Sequence, residues 1–116
     1  MEHTSPSYRY TYVVVVDTYQ TPESTFFGAF VPDFPGCTAM GKSLEAVLQE
    51  IQRGLRKVLL HHLQQGIYIP QPSTVEKLTS KYLLAGEELV SSRGMIVLIE
   101  VLFDMLVSSE RVAVAA

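Results

Sequence analysis

Residues 28–55 read GAFVPDFPGCTAMGKSLEAVLQEIQRGL and contain the change from strand to helix that decides the fold. Two prolines and a glycine fall within Pro32–Gly36. Proline has no amide proton to donate to a sheet ladder, so this segment predicts a turn. The aromatic and apolar stretch Phe26–Val31 predicts the strand before the turn, and Cys37–Met40 predicts a short strand that closes the hairpin.

A long helix is predicted directly after this hairpin. Ser43 is a favourable N-cap, and Gly66 stands where the chain needs a left-handed C-cap. Between them, apolar residues recur at three- and four-residue steps: Leu44, Val47, Leu48, Ile51, Leu55, Val58, Leu59 and Leu63. Such a stripe predicts a helix that packs one face against a sheet.

Two further apolar segments complete the predicted sheet. Tyr8–Val16 is aromatic and β-branched and predicts a strand that becomes buried on both faces, with a polar loop over Asp17–Thr25. Met95–Phe103 (MIVLIEVLF) predicts a buried central strand. Thr74–Arg93 fits either a loop or a short helix lined by Val75, Leu78 and Tyr82. The order β-β-β-α-β indicates an α+β domain of two layers.

Length and composition favour one intracellular domain. A chain of 116 residues has room for a single domain, with residues 1–7 expected to be a flexible segment and residues 104–116 a tail. Its only cysteine, Cys37, fits a reducing cytoplasm. No apolar run approaches the roughly 20 residues that a membrane helix needs. The net charge of −3 gives no overall positive field for nucleic acid.

The hairpin, helix and helix exit together carry a family resemblance. Pro-Asp-Phe-Pro-Gly-Cys at residues 32–37, the capped leucine-rich helix and the exit QQGIYIPQPS at residues 64–73 resemble the hallmark segments of the HicB antitoxin-like family. With the N-terminal valine strand, the resemblance covers roughly residues 8–75. It implies a partial RNase H-like fold of three antiparallel strands, a helix and a further strand.

The resemblance also implies a partner. Family members of this kind mask a small basic RNA-cleaving toxin of the HicA type, and an acidic chain suits that task by charge complementarity. We expect partner contacts from an exposed sheet edge, the proline turn and the first strand: Pro32, Asp33, Phe34, Pro35, Tyr8 and Tyr10. A homodimer or higher homo-oligomer through strand edges is also expected. Only about a dozen residues follow the last strand, so the DNA-binding module of many family members is not expected here.

Two alternatives to a protein-binding module remain open. A metal-dependent nuclease would need converging carboxylates, and its candidates are Asp17, Glu100 and Asp104, with Glu50 on the helix. Solvated surface acids are the commoner explanation for such residues. An orphan domain that binds RNA would use the helix cluster of Arg53, Arg56 and Lys57, although a solvated helix face is the commoner explanation. The alternating Tyr8, Tyr10 and Tyr12 fit a stacking platform for bases, but an edge-strand contact surface or partial core is more ordinary.

The remaining reactive side chains favour structural roles. Asp33 fits either an Asx-type turn or a rigid acidic finger for a basic partner. Cys37 has no histidine nearby in sequence and reads as a buried thiol. His61 and His62 lack the four-residue spacing of a helical zinc pair and suit the helix dipole instead. We therefore predict no catalytic residue, metal or cofactor.

Overall fold

The computed structural model describes residues 7–104 and contains one four-stranded sheet and two helices. In chain order the elements are β1 (Ser7–Gln20), β2 (Thr25–Val31), β3 (Phe34–Gly41), α1 (Leu44–Gln65), α2 (Val75–Leu84) and β4 (Met95–Asp104). The strands lie in the order β3-β2-β1-β4, and every neighbouring pair is antiparallel. The predicted α+β class is confirmed, and α2 extends the predicted β-β-β-α-β order by one element.

The predicted long helix is confirmed together with both of its caps. The Ser43 hydroxyl accepts a hydrogen bond from the amide of Ala46 at 3.0 Å, and Gly66 ends α1 with a φ of 67°. The apolar stripe faces the sheet, where Val47, Ile51, Leu55 and Leu59 have no solvent exposure. This packing forms the main core with one face of β1, β2, β3 and β4.

The second face of the sheet carries a smaller core under α2. Val13 and Val15 of β1 pack with Leu78 of α2 and with Leu89 of the loop that follows it. The Thr74 side chain caps α2 by accepting from the Lys77 amide at 3.1 Å. The valine run is therefore buried on both faces, as predicted, and the sheet has a helix on each side.

Two predicted boundaries along the first three strands were wrong. β1 continues through Asp17 to Gln20 instead of entering a loop, because Thr18, Tyr19 and Gln20 pair with residues 25–27 of β2. The proline turn is also shorter than predicted. Only Pro32 and Asp33 form the turn, and β3 begins at Phe34 with a register shift between Phe30 and Val31.

The last strand lies at an edge of the sheet, so the prediction of a central strand for Met95–Phe103 was wrong. β4 pairs only with β1 within residues 7–104, and β1 is a central strand instead. The predicted flexible segment 1–7 and tail 104–116 lie outside the described residues, except for Ser7 and Asp104, which end strands. Neither helix in residues 7–104 is both long and apolar enough to cross a membrane.

Candidate partner-binding surface

The proline turn is tied to the segment that leads into α2. The Asp33 carboxylate accepts two hydrogen bonds from Ser73, one from its amide and one from its hydroxyl, both at 2.8 Å. The Asx-turn expectation for Asp33 was therefore wrong, because both hydrogen bonds go to a residue 40 positions away, and the expected contact with a basic partner stays a prediction. The Asp33 side chain fixes the chain entering α2 against the tip of the β2–β3 hairpin.

A hydrogen bond from β1 also holds the segment that leads into α2. The buried Tyr12 hydroxyl donates to the carbonyl of Pro70 at 2.6 Å. Burial, followed by the nearby Asp33 charge, raises the pKa of Tyr12 well above its ordinary range. The ring of Phe34 meets that of Tyr12 edge-on at 5.2 Å and is itself buried. Phe34, expected at the surface of the turn, is thus a core residue, and Pro32 and Pro35 supply the accessible part of the turn.

The tyrosines predicted to contact a partner lie in a row on the α1 face of β1. Ring centroids are 6.2 Å apart between Tyr8 and Tyr10 and 6.4 Å apart between Tyr10 and Tyr12. The row ends at Phe34, so the structure brings the tyrosines and the turn together. Tyr10 is half-buried and only Tyr8 is an exposed ring, which leaves little open aromatic surface for stacking bases.

An open groove lies on the other face, between α2 and the β2–β3 hairpin. It consists of two cavities of about 570 and 530 Å³ that share Phe30 and Thr38 in their walls. The first is lined further by residues of the strands and of the loop after α2: Val15, Asp17, Tyr19, Phe26, Gly28, Ala29, Ala39, Met40, Glu88, Leu89 and Ser91. The second is lined further by the turn and the end of α2: Pro32, Pro35, Lys81, Tyr82, Ala85 and Glu87.

Gly28 lies in the floor of this groove and is covered by the Tyr19 ring. A Cβ atom at that position would lie 2.9 Å from the Tyr19 ring, so this exposed ring would have to shift. Tyr19 stacks on Phe26 at 5.4 Å and covers the glycine. Met40, 65% exposed, adds apolar surface beside it.

Acidic side chains stand around the groove. Glu87 and Glu88 are exposed on the loop after α2, and Asp17 lies at the end of the first cavity. The Asp17 carboxylate accepts from the Ser91 hydroxyl at 2.7 Å, which anchors this loop to β1. Lys81 is the one cation in the walls of the two cavities. The groove is therefore apolar at its base and negative at its rim.

The basic cluster on α1 is partly occupied by contacts within the chain. Arg53 forms an ion pair with Glu50 at 2.8 Å. Arg56 lies 4.7 Å from the centroid of the Phe103 ring and donates to a β4 carbonyl at 3.3 Å. Lys57 is exposed. Two of the three predicted nucleic-acid contacts thus stabilise the helix and its packing on β4.

The carboxylates proposed for a nuclease do not converge. Glu100 lies opposite Thr11 and pairs with Arg9 at 3.1 Å, whereas Asp17 is six residues further along β1, roughly 20 Å away. Asp104 lies in the opposite direction, across from Ser7. Among residues 7–104, no group of three or more histidine, cysteine, aspartate or glutamate side chains is placed to hold a metal ion.

The other reactive side chains are packed or bonded within the domain. Cys37 is buried in the main core, and this burial raises the pKa of its thiol. The Nδ1 atom of His62 lies 3.1 Å from the Tyr68 carbonyl, and its ring meets Phe34 edge-on at 5.7 Å. These contacts agree with the structural roles predicted for Cys37 and His62.

Sequence reasoning missed the α2 side of the groove. The sequence fits either a helix or a loop over Thr74–Arg93, the segment that contains Lys81, Glu87 and Glu88. Ser73 was part of the helix exit, but its bond to Asp33 spans 40 residues and leaves no local signal. The Ser73-Thr74 pair before VEKL was the one available sign of a helix start.

Comparisons with known proteins agree on the fold and the family. The solved N-terminal domain of the antitoxin HicB from Burkholderia pseudomallei is similar, with a TM-score of 0.55, 21% identity, and coverage of 77% of this chain and 96% of that one. The structure of the longer B. pseudomallei antitoxin HicB gives a TM-score of 0.52 and 20% identity, over 76% of this chain and 60% of that one. These likenesses concern the fold. Comparison with curated proteins gave no match.

The family assignment comes from the sequence itself. Residues 12–115 match the family described as HicB_like antitoxin of bacterial toxin-antitoxin system. The match covers the sheet, both helices and the turn, and so includes every element that builds the groove. This chain therefore belongs to the HicB-like antitoxin family of bacterial toxin–antitoxin systems.

Proposed function

We propose that this chain is a cytoplasmic, non-enzymatic antitoxin that neutralises a small basic HicA-type RNase toxin by covering its RNA-binding surface. The observation that carries the proposal is the groove beside β3, which combines an apolar base with the acidic rim of Asp17, Glu87 and Glu88. A protein that binds RNA presents cations to phosphates, and acidic side chains placed opposite those cations compete for the same surface.

The strand beside the groove offers a second type of contact. β3 pairs with β2 on one side only within the described sheet, so its other edge is open next to the groove. An extended segment of a partner adds to such an edge through main-chain hydrogen bonds and places alternate side chains in adjoining cavities. In this proposal Pro32, Asp33 and Pro35 border the toxin at one end of the groove. Tyr8 and Tyr10 extend the contact onto the α1 face.

We also propose that the chain self-associates as a homodimer or higher oligomer. The support is the second open edge of the described sheet, on β4, at the opposite side of the sheet from β3. Because the two edges are on opposite sides of the sheet, one chain has room for a toxin and for a second copy together. Direct DNA binding by the chain alone is not part of the proposal.

The test begins with a tagged pull-down from the native cells, followed by reconstitution with the purified partner. We expect one small basic protein in stoichiometric amount that denaturant releases and nuclease does not. Titration calorimetry of the purified pair then compares the wild type with a Glu87→Lys/Glu88→Lys variant. Reversing two rim charges is expected to weaken binding about 10- to 100-fold, since charges opposed at an interface cost several kcal/mol.

The matched control makes the same change in charge on the opposite side of the sheet. Glu45→Lys/Glu50→Lys alters two exposed acids of α1. It is expected to leave the affinity within about threefold of the wild type, because salt screens the effect of charges that lie far from the groove. Equal losses of affinity in both variants would mean that the change in net charge alone explains the effect, and would contradict the groove as the binding site. Recovery of nuclease-sensitive material alone would instead favour RNA binding through Arg53, Arg56 and Lys57.

A further inference from the structure

Within residues 7–104, the outer edge of β4 lacks most of the features that normally prevent strand pairing. Its register with β1 runs without a break from Ser7 opposite Asp104 to Val16 opposite Met95. Residues 95–104 contain no proline, glycine or lysine. Natural sheets protect their edges with proline, lysine and other charged side chains, or with bulges. The one charge in residues 95–103, Glu100, is already paired with Arg9, so this long apolar edge marks a pairing surface.

The other open edge of the described sheet, on β3, carries several of these features and therefore suits only a short added segment, such as the one proposed above for the toxin. β3 contains Pro35, Gly36 and Gly41, and its register with β2 shifts between Phe30 and Val31. A bulge and a proline both disturb the row of main-chain donors that an added strand needs. The two edges of this sheet therefore differ in how well they accept a long, regular strand.

The chemistry of the β4 edge fits a second copy of this chain better than a basic toxin. Leu98 and Leu102 are 62% and 47% exposed on the α2 face of the strand. The one acid in residues 95–103, Glu100, already forms an ion pair with Arg9. A basic partner thus finds no uncompensated negative charge along this stretch. An identical apolar strand matches it along its whole length.

We propose that β4 pairs with β4 of a second copy about a two-fold axis through Ile99, which joins two sheets into one antiparallel sheet of eight strands. This inference rests on the self-association proposed above and adds the edge and the register. Strands related by a two-fold axis run antiparallel, so each contact occurs twice. The axis at Ile99 overlaps residues 95–103 of both copies and places Leu98 opposite Glu100 of the partner subunit.

This register is selected by charge repulsion and by the alternation of side chains between the two faces of the sheet. Residues directly opposite each other in an antiparallel pair project from the same face, so the axis must pass through a residue and not between two. An axis through Glu100 would put two carboxylates opposite each other, which is unfavourable. An axis through Leu98 or Val97 leaves the far end of β4 unpaired. The axis through Ile99 pairs residues 95–103 of both copies and keeps the two Glu100 side chains apart.

The test uses two substitutions of one exposed residue in the full chain, with no toxin present. Sedimentation equilibrium and light scattering give the dimer dissociation constant of the wild type, Leu98→Glu and Leu98→Lys. Leu98→Glu places two carboxylate pairs across the interface and is expected to raise this constant about 50-fold. Leu98→Lys places an ammonium group opposite each Glu100 and is expected to change it less than about fivefold.

The control is Leu84→Glu, because Leu84 is 90% exposed on α2 and the same charge there should leave the constant unchanged. Far-ultraviolet circular dichroism establishes that each variant is folded. Equal dissociation by Leu98→Glu and Leu98→Lys would overturn the register, and no effect of either would overturn the edge. A monomeric wild type would overturn the inference, including the case in which residues 105–116 of the same chain protect the β4 amides. None of these results depends on a toxin, so they leave the proposed antitoxin function to its own test.

Discussion

The two faces of the sheet are covered to very different degrees. On one face α1 spans 22 residues and closes a core in which Val47, Ile51, Leu55 and Leu59 have no exposure. On the other face α2 spans 10 residues and buries only Leu78. Beside it the acidic groove lies open on the same face. One face therefore provides most of the buried core of the domain, whereas the other carries the open groove that we propose as the partner-binding surface.

The largest effect is expected from the α1 face. Ile51→Ala removes a fully buried side chain from the main core and should lower the free energy of unfolding by about 4 kcal/mol. Urea unfolding followed by circular dichroism measures the loss. The control is Leu84→Ala, at an exposed position of α2, which should stay within about 0.5 kcal/mol of the wild type. A loss below about 1 kcal/mol for Ile51→Ala would contradict the role given to this face.

A smaller and more local effect is expected from the α2 face. Leu78→Ala removes the one buried side chain of α2, and we expect about 2 kcal/mol because the smaller cluster can relax around the cavity. Native-state hydrogen exchange should show lost protection in residues 75–84 while the α1 amides keep theirs. If both helices lost protection equally, the two faces would form one cooperative unit and the comparison would fail.

The Asp33–Ser73 contact is predicted to hold the α2 side in place. Its two hydrogen bonds join the hairpin turn to the start of α2. We expect Ser73→Ala to cost about 1 kcal/mol and Asp33→Ala about 2 kcal/mol, since the second change removes both acceptors of a charged group. A double-mutant cycle measures the coupling free energy, expected near 1 kcal/mol. Additive losses would show that the two residues act separately.

The smallest effect should be a change in stability at alkaline pH. Burial and the Asp33 charge raise the pKa of Tyr12 above the ordinary 10.0 of tyrosine, so the folded state keeps the phenol protonated. The unfolded chain loses this proton near its ordinary pKa. The contribution of Tyr12 is therefore full below about pH 10 and is lost as the pH rises further.

Tyr12→Phe removes this proton along with the hydrogen bond to Pro70. The variant should lose about 1 kcal/mol at pH 7 and show a shallower decline between pH 9 and 11. Urea unfolding across that range gives both slopes. Burial also raises the pKa of the Cys37 thiol above its ordinary 9.0. It therefore lowers the free energy of unfolding of both the wild type and Tyr12→Phe as the pH rises above about 9. Identical slopes would place the alkaline sensitivity elsewhere.

Local patterns in the sequence predicted the α1 face well. Its helix followed from a regular apolar stripe with a cap at each end, all within 24 residues of chain from Ser43 to Gly66. The hairpin followed from two prolines and a glycine. The end of β1 was missed because Asp17–Gln20 is polar, and only its pairing with Thr25–Gly28 makes it a strand.

The α2 face was harder to predict because its contacts are distant in sequence. Leu78 and Leu89 pack on Val13 and Val15 from the other end of the chain. The continuous apolar run of β4 suggested a central strand, yet Leu98 is exposed at the sheet edge. An apolar run indicates that a segment is favourably buried, but it does not distinguish burial in the core of its own chain from burial against a second chain.

The most direct test of the central claim is hydrogen exchange of the full chain with and without the purified basic partner from the native cells. Added partner is expected to slow exchange in β3 and in residues 85–91, beside Glu87 and Glu88, and to leave exchange on the exposed side of α1 unchanged. Protection confined to α1 around Arg53 and Lys57, with none at β3, would contradict the assignment of the α2 face as the partner-binding surface.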